Sequence, residues 1–306
     1  MKSPGRSPGH ILKVIMEIAP LIISLVYQAL TAGAFLVLCS IGLMIVLGMM
    51  NIINLAHGEI MMIGAYVASL LVTEGLPFFL TLPVCFLVGV LVGLVIEFLF
   101  IRYLYSRILS ALVLTWGLGL IIAQGALLIY GPFLPSIKIP FGSIEYGGFT
   151  YSIYQLFLIF IAALLVTLIY FVLQKTELGL KARATMQNPE IASTIGINKK
   201  KMFSITFAFG AGLAALAGGV LAPTTTIAPF MGTQFVAPAF ITVVVGGATN
   251  IITGTLYSAG SLAAIRTPIG MYLGSFAGTV GLFFAALILI RLYPNGLASI
   301  RLFGRR

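Results

Sequence analysis

The stretch ILKVIMEIAPLIISLVYQALTAGAFLVLCSIGLMIVLG, which runs from Ile11 to Gly48, decides the class of the protein. Nearly every residue in it is apolar, and one membrane-spanning helix needs only about 20 such residues. The stretch is therefore predicted to cross a bilayer twice, with the break near Gly33, where glycine permits a tight reversal of the chain.

The rest of the chain repeats this apolar character. Of its 306 residues 60% are hydrophobic and 8% are charged, whereas an ordinary soluble protein has about 25% charged residues. This composition excludes a soluble monomer and a disordered chain. Further apolar segments occupy about 58–73, 77–101, 108–130, 151–174, 202–221, 234–257 and 273–292. The segment 258–272 is also apolar, but it contains Arg266 and Pro268 and is predicted to form a short or broken helix.

These segments predict an all-α fold, a polytopic integral membrane protein with about 8–10 transmembrane helices, some broken or re-entrant. Ten crossings follow if 11–48 and 255–292 each cross twice, and eight full ones if these regions contain re-entrant pieces. Small residues recur at four-residue spacing, which predicts close helix packing in lipid. They are Gly89 and Gly93 in one segment and Gly210, Ala214 and Gly218 in another.

The few charges lie in clusters between the apolar segments. The chain has 17 Lys and Arg residues against seven acidic ones, all Glu, and a net charge of +10. The basic clusters lie near the N-terminus, at 102–107, at 175–201 and near the C-terminus, so all four are predicted to be cytoplasmic. This pattern indicates membrane topology, and no nucleic acid is expected as a partner.

The predicted organisation has three parts. Residues 1–10 form an N-terminal polar tail, 11–300 form the transmembrane domain with its loop 175–201, and 301–306 form a basic C-terminal tail. The membrane is expected to be the inner membrane of a bacterial-type cell, with both termini cytoplasmic. Cys39 and Cys85 lie inside apolar segments and are predicted to be unpaired.

The residue inventory argues against catalysis. Without aspartate an intramembrane aspartyl protease is excluded, and with two histidines a metal cage is poorly supplied. The sequence contains neither a Walker A loop nor an HExxH motif, so this chain is not expected to hydrolyse nucleotides or to bind a cofactor or metal.

A polar segment, residues 51–59 (NIINLAHGE), follows the first apolar stretch. Its functional candidates are Asn51, Asn54, His57 and Glu59. In lipid each polar group needs a partner or water, and Asn54 and Glu59 could cap a helix that begins near Gly58. Three interpretations stay open: a cap and tight turn, a part of the substrate pathway, and a catalytic pair of His57 and Glu59.

The basic loop 175–201 contains a short helix signal. Asn188 is a good cap, Pro189 suits the first helical position, Glu190 suits the first turn and Gly196 is a good stop. A helix over about 189–195 is therefore predicted, with Ile191, Ile195 and Ile197 as apolar anchors. Such a helix can lie on the membrane surface, or it can insert into a groove of a soluble partner.

Two further features interrupt apolar segments. Gly246 and Gly247, with Gly254 and the neighbouring Asn250, predict either a pathway-lining break or close helix packing. Arg266 is a costly cation for a bilayer. It either reaches an interface or a helix turn, or it lines the pathway and favours a carboxylate there.

Four motifs together resemble one family over about residues 25–298. The loop residues Gly179, Ala182, Arg183, Ala184, Asn188 to Ala192 and Gly196 to Asn198 resemble the coupling loop of ABC-importer permeases. The segments 51–59 and 62–66 are similar to LivH-type permeases of branched-chain amino acids, in the hydrophobic amino-acid and amide uptake family. The segments 243–255 and 293–297 resemble the Gly-Gly…Gly and Arg-Pro-x-Gly-Leu motifs of that family.

The resemblance implies a permease subunit with partners. It implies a second homologous permease, in a heterodimer, two cytoplasmic ATP-binding subunits that use ATP and Mg, and an external substrate-binding protein. The residues Gly179, Arg183, Asn188, Pro189, Glu190, Ile191, Ala192 and Gly196 would couple this chain to the ATPases. The chain itself would move branched-chain amino acids or related small amides by alternating access, without being an enzyme.

The sequence also departs from the family pattern. Tyr293 replaces the usual arginine, Thr249 and Asn250 replace the frequent Gly-Ser, and Arg266 replaces an expected neutral polar residue. These differences leave a urea or short-amide permease of the same family as an alternative. An ion-coupled secondary transporter that uses Glu97 is an alternative from a different class.

Overall fold

The computed structural model describes residues 8–105, 107–247 and 250–299, with side chains from residue 18 onward except that of Ile251. Residues 1–7 and 301–306 of the two predicted tails lie outside the described residues, as does Thr249. The described chain contains α1 (Pro8–Met50), α2 (His57–Thr73), α3 (Phe78–Leu99), α4 (Ile108–Tyr130), β1 (Ser143–Tyr146), β2 (Phe149–Ser152), α5 (Ile153–Lys175), α6 (Glu177–Gln187), α7 (Pro189–Thr194), α8 (Lys199–Leu221), α9 (Gly232–Gly246), α10 (Ile251–Leu273) and α11 (Ser275–Leu292).

The helices confirm the predicted all-α membrane fold. Six helices within the described residues are long and apolar enough to cross a membrane, namely α1, α3, α4, α5, α8 and α11. The apolar helices α2 and α9 are shorter, at 17 and 15 residues. The chain is therefore a multi-pass membrane protein.

The predicted double crossing of 11–48 is wrong, and so is the ten-crossing arrangement that depended on it. Helix α1 runs unbroken through Gly33 for 43 residues. Gly33 faces α10, where an added Cβ would lie 3.7 Å from the Cβ of Ala263. Packing of the half of α1 that follows the glycine outweighs its helix cost of about 1 kcal/mol, because most side chains from Ala34 to Met50 are buried.

The prediction for 258–272 is also wrong, because α10 continues through Arg266 and Pro268 to Leu273. Proline costs a helix one hydrogen bond, which neighbouring helices and local adjustment make tolerable in a membrane. The predicted interruption at Gly246 and Gly247 is confirmed: α9 ends there, and Gly247 has a φ of +76°.

The bundle has two ends that are easily told apart. The hairpin end carries the β1–β2 hairpin, whose turn consists of Gly147 and Gly148, both with positive φ, as a two-residue hairpin turn requires. The loop end carries α6 and α7. The Tyr27 hydroxyl on α1 donates to the Ser152 carbonyl at 3.0 Å, whereas Met49 meets Thr206 beside the loop end.

Helix α1 thus enters at the hairpin end and finishes at the loop end. The prediction that Lys13 shares a side with the loop 175–201 is therefore wrong, whereas Lys2 and Arg6 lie outside the described residues. The error arises because α1 is unbroken. A single crossing puts the two flanks of 11–48 on opposite sides of the membrane, whereas the predicted reversal would put both flanks on the same side. Helix α11 ends at the loop end, because Gly296 contacts Gly247 there.

Helix α8 is the centre of the bundle and packs against α1, α2 and α3. Its small residues let three backbones approach it closely, as the small-residue spacing predicted. An added Cβ at Gly42 of α1, Gly64 of α2 or Gly89 of α3 would meet backbone or Cβ atoms of α8 within 3 Å. Small residues at such contacts replace the hydrophobic driving force that lipid does not supply.

We expect Gly64→Ala to destabilise the protein by about 1–3 kcal/mol, the usual range for overpacked contacts. The new methyl group would overlap the Ala215 carbonyl, a backbone group that cannot rotate away. Thermal unfolding in detergent measures this. Gly117→Ala is the matched control, because no atom lies within 4 Å of a Cβ there, and equal stability of the two variants would contradict the packing role.

Candidate functional site

The polar segment 51–59 starts where α1 ends, and its first residue terminates that helix. The amide of Asn51 donates to the Leu47 carbonyl at 2.9 Å, and Asn51 has a φ of +51°. Asparagine tolerates this left-handed conformation better than other residues with a side chain, and it is common just after helices. Asn51 therefore ends the helix and turns the chain back along it.

His57 shows how far the chain returns. Its Nε2 atom lies 2.8 Å from the Cys39 carbonyl oxygen in α1, and both residues are buried. Cys39 precedes Met50 by 11 residues, which is about 16 Å along a helix axis. Helix α2 therefore begins about halfway through a hydrocarbon core that is about 30 Å thick.

A second short helix begins at the same depth. Gly232 is the first residue of α9 and lies against Gly58, and an added Cβ at Gly232 would lie 2.7 Å from the Gly58 carbonyl carbon. The N-termini of α2 and α9 thus meet inside the bundle. Helix N-termini carry partial positive charge, and discontinuous helices with this arrangement are common at transporter pathways.

The polar segment is anchored by its own hydrogen bonds. The Asn54 side chain accepts from the Ala56 amide at 3.1 Å, one residue before α2. The Leu55 amide donates to the Thr115 hydroxyl of α4, also at 3.1 Å. No side-chain cap bond forms at the first residues of α2, so Asn54 holds the turn before the helix rather than the helix start.

Glu59 lies in the first turn of α2, as its charge favours. Its side chain is buried against α4, where its Oε2 atom would lie 3.2 Å from an added Cβ at Gly119. Within the described part of the chain no cation lies within ion-pair distance of it. His57 instead faces the α1 carbonyl, so each of the two side chains has its own structural surroundings.

The predicted loop helix is confirmed over Pro189–Thr194, as α7. The Asn188 side chain accepts from the amides of Glu190 and Ile191, both at 3.0 Å. Gly196 has a φ of +88° and stands just after the helix, the conformation for which glycine is the preferred stop. Sequence alone missed α6, which carries Gly179 and Arg183.

The coupling residues divide into supporting and exposed ones. Gly179 packs on the end of α5, where an added Cβ would overlap the Val172 and Leu173 carbonyls. Arg183 donates to Gln174 of α5, and the Lys199 ammonium lies 3.1 Å from the Glu190 carboxylate. Ala192 is buried. These contacts fix α6 and α7 to the ends of α5 and α8.

Two apolar side chains of α7 and the residue after it are exposed. Ile191 is 62% exposed and Ile195 is 70% exposed, and their four-residue spacing places them on one face of α7 and its end. An apolar pair among charged residues at the surface is typical of a contact site for another protein.

The glycines of the α9–α10 break make a close contact at the loop end. An added Cβ at Gly246 would lie 2.8 Å from the Gly254 carbonyl oxygen, and one at Gly247 would lie 2.7 Å from the Asn295 carbonyl oxygen. Two of the resembling motifs, 243–255 and 293–297, therefore meet in space. Asn250 caps α10 by accepting from the Thr253 amide at 3.3 Å.

Glu97 is held by a cluster at the loop end of α3. Its carboxylate accepts from the Ser204 hydroxyl at 2.7 Å, from the Arg102 guanidinium at 3.3 Å and from the Tyr105 hydroxyl. Arg102 also lies over the Phe98 ring, 4.1 Å from its centre. Burial is the main cause that raises the pKa of the Tyr105 phenol, and the hydrogen bond to Glu97 raises it further. The phenol therefore stays protonated and donates.

Arg266 lines two cavities toward the hairpin end, one of about 360 Å³ and one of about 290 Å³. Sequence reasoning missed the polar residues around it, among them Gln28, Thr31 and Gln155. A signal was present, because Ser24, Gln28 and Thr31 follow helical spacing within an otherwise apolar stretch of α1.

The predicted site residues therefore fall in four places. The polar segment lies at mid-depth, Arg266 lies toward the hairpin end, and the glycine break and the α6–α7 loop lie at the loop end. Phe35 and Cys39 connect the first two, since Phe35 lines both cavities of Arg266 and the Cys39 carbonyl meets His57 one turn later.

Comparisons with known proteins agree on one family. The family model described as "Branched-chain amino acid transport system / permease component" matches residues 25–292. A probable branched-chain amino acid transport permease protein LivH of Methanocaldococcus jannaschii is 32% identical over 270 residues, covering 85% of this chain and 85% of the relative. The high-affinity branched-chain amino acid transport system permease protein LivH of Escherichia coli K12 is 26% identical, covering 89% and 93%.

A more distant relative has a different cargo in its name. The ribose import permease protein RbsC of Haemophilus influenzae is 27% identical over 209 residues, covering 66% of this chain and 62% of that protein. No solved structure gives a significant match.

Proposed function

The chain belongs to the family of branched-chain amino acid transport permease components, and from this premise we propose that it is the permease subunit of an ABC importer for branched-chain amino acids. The observation that carries the proposal is the family match over residues 25–292, which covers the polar segment, the loop and the glycine break together.

The proposed complex contains a second homologous permease, two ATP-binding subunits and an external binding protein. The loop end faces the cytoplasm, because it carries the basic residues of 175–201 and of the 102–107 turn. The hairpin end then faces outward, and with it the start of α1. The membrane is the inner membrane of the cell.

The exposed face of α7 is the proposed contact with an ATP-binding subunit. Ile191 and Ile195 insert into an apolar groove of that subunit. Because α7 leads into α8 through Asn198, whose side chain accepts from the Lys201 amide at 3.0 Å, a displacement of α7 is passed to the central helix of the bundle. Alternating access follows when the two permeases tilt against each other.

The two half-length helices are the proposed midpoint of the pathway. Their N-termini meet about halfway across the membrane, and His57, Asn54 and Thr115 hold the approach to them in place. Amino acids carry a carboxylate, and helix N-termini favour negative charge. ATP and Mg act only in the partner subunits, and this chain supplies no catalytic group.

Two alternatives differ in what they need from the structure. A urea or short-amide permease would keep the same fold and the same loop. An ion-coupled secondary transporter that uses Glu97 would need this carboxylate to be free, whereas Glu97 has three donors around it. This arrangement favours a structural role for Glu97 over proton or ion coupling.

The test is reconstitution of the chain with its partner subunits in proteoliposomes. We expect L-leucine uptake that requires ATP on the loop side and the binding protein on the hairpin side. An ATP-binding subunit that cannot hydrolyse ATP is the control and should abolish uptake. Uptake that proceeds without ATP and follows a proton gradient would show a secondary transporter instead.

A further inference from the structure

Arg266 is a cation inside an apolar helix. It lies in α10 seven residues before Leu273, which is about 10 Å from that helix end. In the described ranges 8–105, 107–247 and 250–299, no carboxylate forms an ion pair with it. A charge in this position is costly, and such charges usually face a cavity or a substrate.

The surroundings of Arg266 are uncharged and partly polar. The larger cavity is lined by Gln28, Thr31, Gln155 and Thr224 among others, and neither cavity has an acidic residue in its lining. The Gln155 carbonyl accepts from Tyr27 at 2.6 Å, which leaves its NH₂ group to donate elsewhere. The cavity therefore offers hydrogen-bond donors and one positive charge to a guest of suitable size.

Arg266 also stands at the boundary of the two cavities. The larger cavity lies between α1, α5, α10 and α11, and the smaller one lies between α1, α9, α10 and α11. Phe35 and Arg266 are the two residues that line both. The Phe35 ring is packed against Phe235 of α9, with ring centres 6.1 Å apart. A solute that moves from one cavity to the other passes this pair.

We infer that Arg266 binds the carboxylate of the transported solute and selects carboxylate-bearing solutes over neutral amides. A guanidinium can hold a carboxylate with two parallel hydrogen bonds, and the neutral lining leaves its charge uncompensated until a solute arrives. The inference rests on the proposed function for its direction of transport and for its cargo. It deepens that function, because it favours amino acids over urea or amides as the substrate class.

The first experiment measures the charge at the cavity without any transport. Thr224→Cys introduces a thiol at an exposed position of the cavity lining, and its reaction rates with an anionic and a cationic methanethiosulfonate are compared in the full reconstituted complex. Thr150→Cys on the hairpin is the matched control outside the cavity. Cys39 and Cys85 are buried, so the protein without an added thiol gives the background.

We expect Arg266→Gln to lower the ratio of anionic to cationic rates about tenfold at position 224, the size of a lost charge-assisted interaction, and to leave it unchanged at position 150. Arg266→Lys should keep the ratio. Millimolar L-leucine should slow labelling at position 224 in the parent and not in Arg266→Gln, and L-leucinamide should slow neither. An unchanged ratio would overturn the inference and show that Arg266 points to the membrane surface.

The second experiment separates this inference from the proposed function. In proteoliposomes Arg266→Gln should lower L-leucine uptake about tenfold, while the ATP hydrolysis stimulated by the binding protein remains. Full uptake with an unchanged labelling ratio would overturn the carboxylate site and leave the permease function standing. A complex that moves no leucine, but whose labelling ratio still depends on Arg266, would overturn the cargo and leave the carboxylate site standing.

Discussion

Replacing Ile191 by aspartate is expected to reduce L-leucine uptake at least tenfold while the protein stays folded. Ile191 is 62% exposed, so its loss removes little from the core of the permease itself. At an interface, however, a buried apolar anchor can account for 2 kcal/mol or more, and a charge placed in an apolar groove costs further free energy. ATP hydrolysis by the complex should no longer rise with uptake.

The matched control is Ser193→Asp, which places the same charge on α7. Ser193 is exposed and lies two residues from Ile191, hence on a different face of the helix. Uptake and ATPase activity are measured for both variants, together with the amount of ATP-binding subunit that copurifies. Normal coupling in Ile191→Asp, or equal loss in both variants, would show that this face of α7 is not the contact.

Sequence predicted best the features that depend on local chemistry. The helix over 189–195 was predicted from Asn188, Pro189 and Gly196, and the structure confirms it within one residue. These signals are reliable because a cap, a fixed proline φ and a positive glycine φ act within a few residues of the chain. The same holds for the interruption at Gly246 and Gly247.

Sequence failed where packing decides between two local possibilities. Gly33 looked like a break, yet it stands inside α1 because its bare backbone faces Ala263 of α10. Pro268 looked like a helix end, yet α10 continues past it. For Gly33 the partner lies more than 200 residues away, so no window of sequence contains the deciding contact.

The error at Gly33 also carried into the topology. One crossing in α1 instead of two puts the start of α1 at the hairpin end, although its basic residues indicate the cytoplasm. The positive-inside rule assigns a side to each loop, and the number of crossings between two loops must agree with that assignment. A single misjudged crossing therefore reverses the assignment of the flanking segment.

The site itself was predicted only in parts. The polar segment 51–59 was recognised from its composition, but its depth in the membrane was not. That depth follows from the contact of His57 with Cys39, which joins two residues on either side of a chain reversal. The same limit applies to Glu97: Arg102 lies five residues away, but Ser204 lies 107 residues further along the chain.

Replacing Glu97 by alanine is the substitution for which we expect the largest loss of stability, about 3 kcal/mol. Removing one partner of a buried ion pair typically costs about 3–5 kcal/mol, because the other charge is left uncompensated. The Arg102 side chain is 32% exposed, so its guanidinium can still reach water, which places the estimate at the lower end. Ser204 and Tyr105 lose their acceptor as well.

Thermal unfolding of the purified protein in detergent measures this loss, and Glu177→Ala is the matched control. Glu177 forms its ion pair with Lys181 at the same N–O distance of 3.3 Å, but its side chain is 89% exposed. Exposed pairs of this kind contribute little, so the control should unfold like the parent. Equal stability of all three proteins would mean that water replaces the carboxylate in the cluster. A large loss confined to Glu97→Ala would instead show that the buried cluster around Glu97, unlike the exposed pair of Glu177, ties the start of α8 to the end of α3. In the proposed mechanism this tie carries a displacement of α7 into the bundle, because α8 begins five residues after α7 ends.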